Sequence, residues 1–369
     1  MKTIVLGGYG NFGARICRAL ANWPGIDLVV AGRSAAKAGE LATECGVTAA
    51  AIDIDDPNLA QRLTELGAGL IVHAAGPFQD QGYAVARAAA AAGAHYIDLA
   101  DGRRFVCDFP AALDQAFRQQ GRRAVTGAST VPALSSAVID HLSAGWRSVT
   151  EIDYCIAPGQ TAPRGVATMA GVLNYCGAPI ALWQGGRWTT QYGWSAPRTV
   201  RFARIKPRLG ALCDIPDLEL FPRYYPGVQS MMFRAALEVR IGQRGMQLIA
   251  ALRRRGLLTR PERLAAFMNR AADGLDLFGS SRGAMVVRLR GVDHAGVNTS
   301  AEWQITADDD SGPEIPCMPA ILLARRLAAG EPFEPGAFTS VSQLTLADFS
   351  AEFSKWDMLT DLDAQAIGV

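Results

Sequence analysis

The chain has 369 residues, more than one ordinary core accommodates, and so predicts two domains. Its 49% hydrophobic and 19% charged residues are those of a globular protein, and a net charge of +1 gives no footing for a nucleic-acid or anionic-membrane partner. Seven cysteines stand singly, with no CxxC pair and no Cys/His cluster. This argues against a disulfide framework or a bound metal and predicts a reduced, cytoplasmic setting.

In chain order, Ile4-Val5-Leu6 reads as a first strand, and Gly8-Tyr9-Gly10-Asn11-Phe12-Gly13 as a phosphate-binding turn that opens a helix. Gly8 permits the tight turn, Gly10 lets backbone approach a pyrophosphate, and Gly13 lets the helix pack on the strand. The free N–H groups and positive dipole end of that helix would face the phosphates. A glycine-rich turn without a ligand shares the pattern, but the context weighs against it. Phe12, Ile16, Leu20 and Trp23 share one helical face, Pro24-Gly25 stops the helix, and residues 27–31 read as the next strand.

The end of that second strand, Ala31-Gly32-Arg33-Ser34, holds no carboxylate for a ribose 2′-hydroxyl. Arg33 stands instead about 20 residues past the glycines, where its guanidinium fork suits a 2′-phosphate. Ser34 adds a hydroxyl donor. NADP(H) is therefore expected, and NAD(H) less so.

Residues 49–54 and 70–74 predict a third and a fourth strand, the latter nearly continuous in apolar residues. Tyr83 to Ala92 is an alanine-rich helix, 95–99 a fifth strand, Phe109 to Gln120 a helix, and 123–126 a sixth strand. Six strands with crossover helices describe a Rossmann-type, doubly wound parallel sheet. Beyond it, residues 150–157, 284–290 and 299–306 alternate as half-exposed strands do, with helical stretches over 167–176 and 228–255 and irregular chain over 183–226. The domains expected are therefore 1–130 with 313–369 for the dinucleotide, and an inserted α+β domain over 131–312 for substrate and dimerisation.

These motifs resemble the saccharopine dehydrogenase-like family through its NADP-binding domain. The resemblance rests on residues 7–13, on Ala31-Gly32-Arg33-Ser34, on Ala74-Ala75-Gly76-Pro77-Phe78, on residues 92–99 and on Pro132-Ala133-Leu134-Ser135-Ser136. It is firm to about Leu142 and looser beyond, and it names no substrate. The resemblance implies an oxidoreductase moving a hydride between NAD(P) and a carbon–nitrogen bond. It also implies that Gly8 to Gly13 hold the pyrophosphate and that Arg33 and Ser34 hold the 2′-phosphate. Asp53 would lie near the adenine, and Ala75, Gly76, Pro77 and Phe78 beside the nicotinamide ribose.

For catalysis, Tyr96 and Asp98 lie at the carboxyl edge of the fifth strand, with Asp101 just beyond. Tyr96 is the candidate proton donor and Asp98 the candidate group to orient an amine or ketone. The blander reading, a packed aromatic and a turn-capping Asp, carries more weight. His73 and His95, inside strands, are expected to be satisfied core histidines. Trp183, Trp188, Tyr192 and Trp194 are expected in a core or an interface. Arg198, Arg201 and Arg204 are read as a solvated strand face. No Tyr is followed four positions later by Lys, no lysine closes a P-loop and no HExxH occurs, so short-chain reductase, phosphoryl-transfer and zinc-protease chemistries lack their parts. The expected protein is a homodimeric NADP(H)-dependent oxidoreductase of an imine, amine or ketone. The alternative is a non-catalytic NADP(H)-binding regulatory or sensor protein.

Overall fold

Strand and helix alternate through the first 130 residues of the computed structural model, which describes residues 1–79 and 81–366. The elements are β1 (Lys2–Leu6), α1 (Asn11–Leu20), β2 (Asp27–Gly32), α2 (Ala35–Cys45), β3 (Thr48–Ala51), α3 (Leu59–Glu65), β4 (Leu70–His73), α4 (Ala84–Ala91), β5 (His95–Asp98), α5 (Arg103–Gln119) and β6 (Arg123–Thr126). The strands run parallel in the order β6-β5-β4-β1-β2-β3. Ile4, Val5, Leu6, Leu70, Ile71 and Val72 are fully buried, as central strands covered on both faces require. Helix α5 starts six residues earlier than its sequence predicts. Phe105, Phe109, Leu113 and Phe117 make one continuous buried stripe, and the helix carries Pro110 inside it, giving up one ladder bond there.

The chain then builds a second unit. It comprises α6 (Ser135–Ser143), β7 (Trp146–Ala157), α7 (Val166–Tyr175), β8 (Pro179–Gln184), β9 (Arg187–Tyr192), β10 (Arg198–Val200), β11 (Arg208–Leu212), α8 (Asp217–Tyr224), β12 (Ser230–Ala236), α9 (Arg240–Arg254), α10 (Ala265–Asp273), β13 (Gly283–Asp293) and β14 (Asn298–Ala307). Residues 228–255 are thus not one helix. Ser230–Ala236 is a strand held between β11 and β7, its packing overriding the helix-forming Met and Ala side chains. The stretch 183–226, irregular in sequence, folds into the β8–β9 hairpin, two further strands and α8.

Helix α11 (Met318–Ala328) and β15 (Gly336–Thr339) return to the first unit, where β15 extends the parallel sheet beside β6. Helix α12 (Ser350–Lys355) and β16 (Leu359–Ala366) complete the second, where β16 pairs antiparallel with β14. The two units are Met1–Leu134 with Glu314–Leu344, and Ser135–Pro313 with Thr345–Val369. Residues 345–366, expected in the first domain, therefore lie in the second, and residues 367–369 of that expectation fall outside the described residues. Among the described residues the second sheet has the order β10-β11-β12-β7-β13-β14-β16. Helices α6 and α8 pack on it. Cys155, Ala157, Val200, Phe202, Ala236, Ala284 and Val286 form a core cluster.

Candidate cofactor site

The glycine loop sits between β1 and α1, at the carboxyl edge of the first sheet. A Cβ on Gly13 would lie 2.1 Å from the Gly7 carbonyl oxygen, so only glycine lets α1 seat this close to the strand. At Gly10 such an atom would meet nothing within 4 Å except that same oxygen at 3.1 Å, which leaves the backbone open toward a ligand. No side chain caps α1, and its first turn holds no carboxylate. Amides and dipole are therefore available to an anion, the arrangement a diphosphate requires. Asn11 and Phe12 are half-buried in the first turn.

At the end of β2, Arg33 is exposed and has no ion pair among the described residues. Ser34 caps α2, its hydroxyl oxygen accepting from the Lys37 amide at 3.3 Å, while its own N–H donates to the Tyr9 hydroxyl at 3.0 Å. An unpaired guanidinium, a serine hydroxyl and a helix start with no carboxylate fit a 2′-phosphate. Asp53 lies exposed just beyond β3, its Oδ1 accepting from the Asp55 amide.

Ala74 and Ala75 leave β4 directly against the glycine loop: a Cβ on Gly7 would be 2.9 Å from the Ala75 nitrogen. Gln81 clips the segment that follows, donating to the Ala75 carbonyl at 2.7 Å and the Pro77 carbonyl at 2.9 Å. Gly76 and Pro77 are exposed, but Phe78 is buried, edge-on to His73 and Phe105. The Phe78 ring of this segment, expected beside the nicotinamide ribose, is packed in the core.

Tyr96 and Asp98, the catalytic candidates, are both wholly buried. Tyr96 stacks on Phe109, and its hydroxyl meets His73 Nδ1 at 3.0 Å. Burial, then the nearby Asp98 charge, raises the phenol well above its usual value. Asp98 Oδ1 accepts from the Ala100 amide at 2.9 Å, the Gly127 amide at 2.8 Å and the Thr126 hydroxyl at 2.9 Å. Burial lifts its pKa to about 6 against the pull of those donors. Both groups tie β4, β5 and β6 together instead of facing a ligand. Asp101 is exposed and takes a hydrogen bond from Gln79 at 3.0 Å, joining the loops that follow β4 and β5. His73 and His95 are buried and neutral, burial driving each down to about 4.

In the second unit, Trp194 is core, Trp183 donates to the Val228 carbonyl, and Arg254 lies over Tyr192. Arg198 pairs with Asp153, and Arg204 with Asp361. Sequence reading missed Asp217, which is wholly buried at the start of α8. It accepts from Ser135 Oγ at 2.6 Å and from the Tyr154 hydroxyl. Burial pushes its carboxyl up to about 7, opposed by those two donors. It lies in a stretch read as irregular chain, where no motif marked it. Among the described residues no group of three His, Cys, Asp or Glu side chains could hold a metal ion, and no helix is long and apolar enough to cross a membrane.

Residues 3–131 match the family described as saccharopine dehydrogenase NADP binding domain. Residues 3–131 are therefore an NADP(H)-binding domain of this type. A search of curated proteins found no match. Among solved structures the chain is similar to saccharopine dehydrogenase (L-Glu forming) from Saccharomyces cerevisiae, at 12% identity over 99% of this chain and 100% of that one, with a TM-score of 0.68. It is also similar to homospermidine synthase from Legionella pneumophila in complex with NAD, at 9% identity over 99% and 91%, with a TM-score of 0.60. At such identities the likeness is one of fold.

Proposed function

We propose that this saccharopine dehydrogenase-like chain is an NADP(H)-dependent oxidoreductase that transfers a hydride to or from a C=N, C–N or C=O group of a small substrate. The observation that carries the reading is the exposed Arg33 guanidinium at the end of β2, without an ion pair among the described residues, beside a glycine loop that no side chain caps. When bound, the coenzyme would accept or deliver the hydride at its nicotinamide. Gly8, Gly10 and Gly13 with the first turn of α1 would hold the diphosphate, Arg33 and Ser34 the 2′-phosphate, and Asp53 the adenosine end. Ala75, Gly76, Pro77 and Phe78 would flank the nicotinamide ribose. In the loop between β5 and α5, Asp101 is an exposed carboxylate that a substrate could meet.

The complete burial of Tyr96 and Asp98 favours a second reading, a non-catalytic NADP(H)-binding regulator. The two separate in one screen: purified protein with NADPH is offered imines, amines, amino acids and keto compounds. Substrate-dependent NADPH consumption supports the enzyme, and its absence across the panel favours the regulator. Calorimetric titration tests the coenzyme directly. Wild type should prefer NADPH over NADH, and Arg33→Asp should lose that preference by about tenfold or more, the loss of one charged hydrogen-bonded contact. Tighter NADH binding by wild type would defeat the reading. Exposed Ile241, Leu248, Phe267, Leu277 and Phe278 in the second unit support self-association as a homodimer, measurable by sedimentation. The free, mostly buried cysteines support a cytoplasmic setting.

A further inference from the structure

We propose that the Tyr9 hydroxyl donates a hydrogen bond to the 2′-phosphate of NADP(H), so that the glycine loop itself distinguishes the phosphorylated coenzyme from NAD(H). The inference rests on the NADP(H) reading above and assigns one atom of that site a task.

The geometry begins at Gly32. A Cβ there would lie 2.5 Å from Tyr9 Cε1, 2.9 Å from Cζ and 3.1 Å from the hydroxyl oxygen. Only a glycine at the end of β2 therefore leaves room for the Tyr9 ring, which reaches from the loop after β1 across to the neighbouring strand. Its seat is fixed at the far end as well, because the Ser34 amide donates to the hydroxyl oxygen at 3.0 Å. A phenol hydroxyl has a single proton to donate and can accept as well. With the oxygen accepting from Ser34, its own proton is directed elsewhere, and no described residue takes it.

Two more donors stand at the same strand end. Arg33, between Gly32 and Ser34, is exposed and has no ion pair among the described residues. The Ser34 hydroxyl, which accepts from the Lys37 amide, likewise retains its proton. A phosphate dianion is met there by a guanidinium and two hydroxyl protons, whereas a ribose 2′-hydroxyl offers only a weak neutral acceptor. Charge-assisted bonds are roughly twice as strong as neutral ones, so the Tyr9 contact favours the phosphorylated coenzyme.

The test is calorimetry on the full-length chain, with 2′,5′-ADP, 5′-AMP, NADPH and NADH as probes. Tyr9→Phe keeps the ring over Gly32 and removes only the hydroxyl. It should weaken 2′,5′-ADP and NADPH by about tenfold and leave 5′-AMP and NADH unchanged. Gly32→Ala, which unseats the ring, should show the same selective loss, and circular dichroism would establish that both variants are folded. Equal weakening of NADPH and NADH in Tyr9→Phe would reduce Tyr9 to a loop spacer, and unchanged NADPH binding would overturn the proposal outright. Wild type that binds neither coenzyme would instead fail the cofactor reading, and the proposal with it, before any variant is compared.

Discussion

Asp98 gathers three donors on one carboxylate oxygen, and two of them are backbone amides with no other partner at hand. Removing the acceptor strands buried N–H groups at about 1–3 kcal/mol each. Asp98→Ala should therefore cost at least ~3 kcal/mol in urea denaturation, while the folded fraction binds NADPH as wild type does. Loss of binding with stability intact would restore Asp98 to the reacting centre. Its position at the carboxyl edge was legible in the sequence, but its direction was not. An Asp after a strand can face a ligand or turn back onto amides, and the choice is made by Gly127 and Thr126 on a different strand. Asp217 gives a pH prediction. Its folded pKa, about 7, lies above the value near 3.8 of a free carboxyl. The folded state thus binds more protons across that interval, and this group's contribution to stability falls as pH rises from about 4 through 7. His73 and His95, lowered to about 4, act in the opposite sense: their contribution is lost as pH falls from about 6.5 to 4. Asp217→Asn should accordingly stabilise the protein more at pH 8 than at pH 5, measured by thermal unfolding. An equal effect at both would refute the assignment.

The glycine loop and the elements either side of it were the most readable part of the chain, because each constraint there is local. A strand, a close approach and a helix face are all encoded within residues 2–20. Gly13 carries the tightest of those constraints. Gly13→Ala places a methyl on the Gly7 carbonyl and must push α1 outward, costing about 1–3 kcal/mol. NADPH affinity should fall with it, since the helix amides move off the diphosphate; equal titration curves for the variant and wild type would show that the loop does not hold the coenzyme. Elements fixed by distant partners were not readable in the same way. Ser230–Ala236 has residues at home in a helix and becomes a strand because β7 and β11 flank it. The start of α5 was hidden because Pro110 reads as a boundary, while its burial stripe, running through Phe105 and Phe109, ignores it.

At the scale of the whole chain, the return of α11 to the first unit was visible from its apolar helix after an acidic exit loop. The departure of residues 345–366 to the second unit was not, for β16 is half polar and owes its place to the edge that β14 offers. Both units contain buried thiols, Cys17 and Cys317 in one and Cys155, Cys176 and Cys213 in the other, while Cys45 and Cys107 are partly accessible. Ellman's reagent should modify at most those two rapidly in native protein. Prompt reaction of a third would mean that one unit opens far more readily than its packing implies.

Strand β15 joins the sheet roughly 200 residues after β6, the strand it covers. On a ribosome adding ~5–20 residues each second, the growing polypeptide leaves the β6 edge bare for about 10–40 s. A naked parallel edge of that duration invites pairing with a neighbouring nascent chain, so yield in cells should depend on whatever shields it during translation.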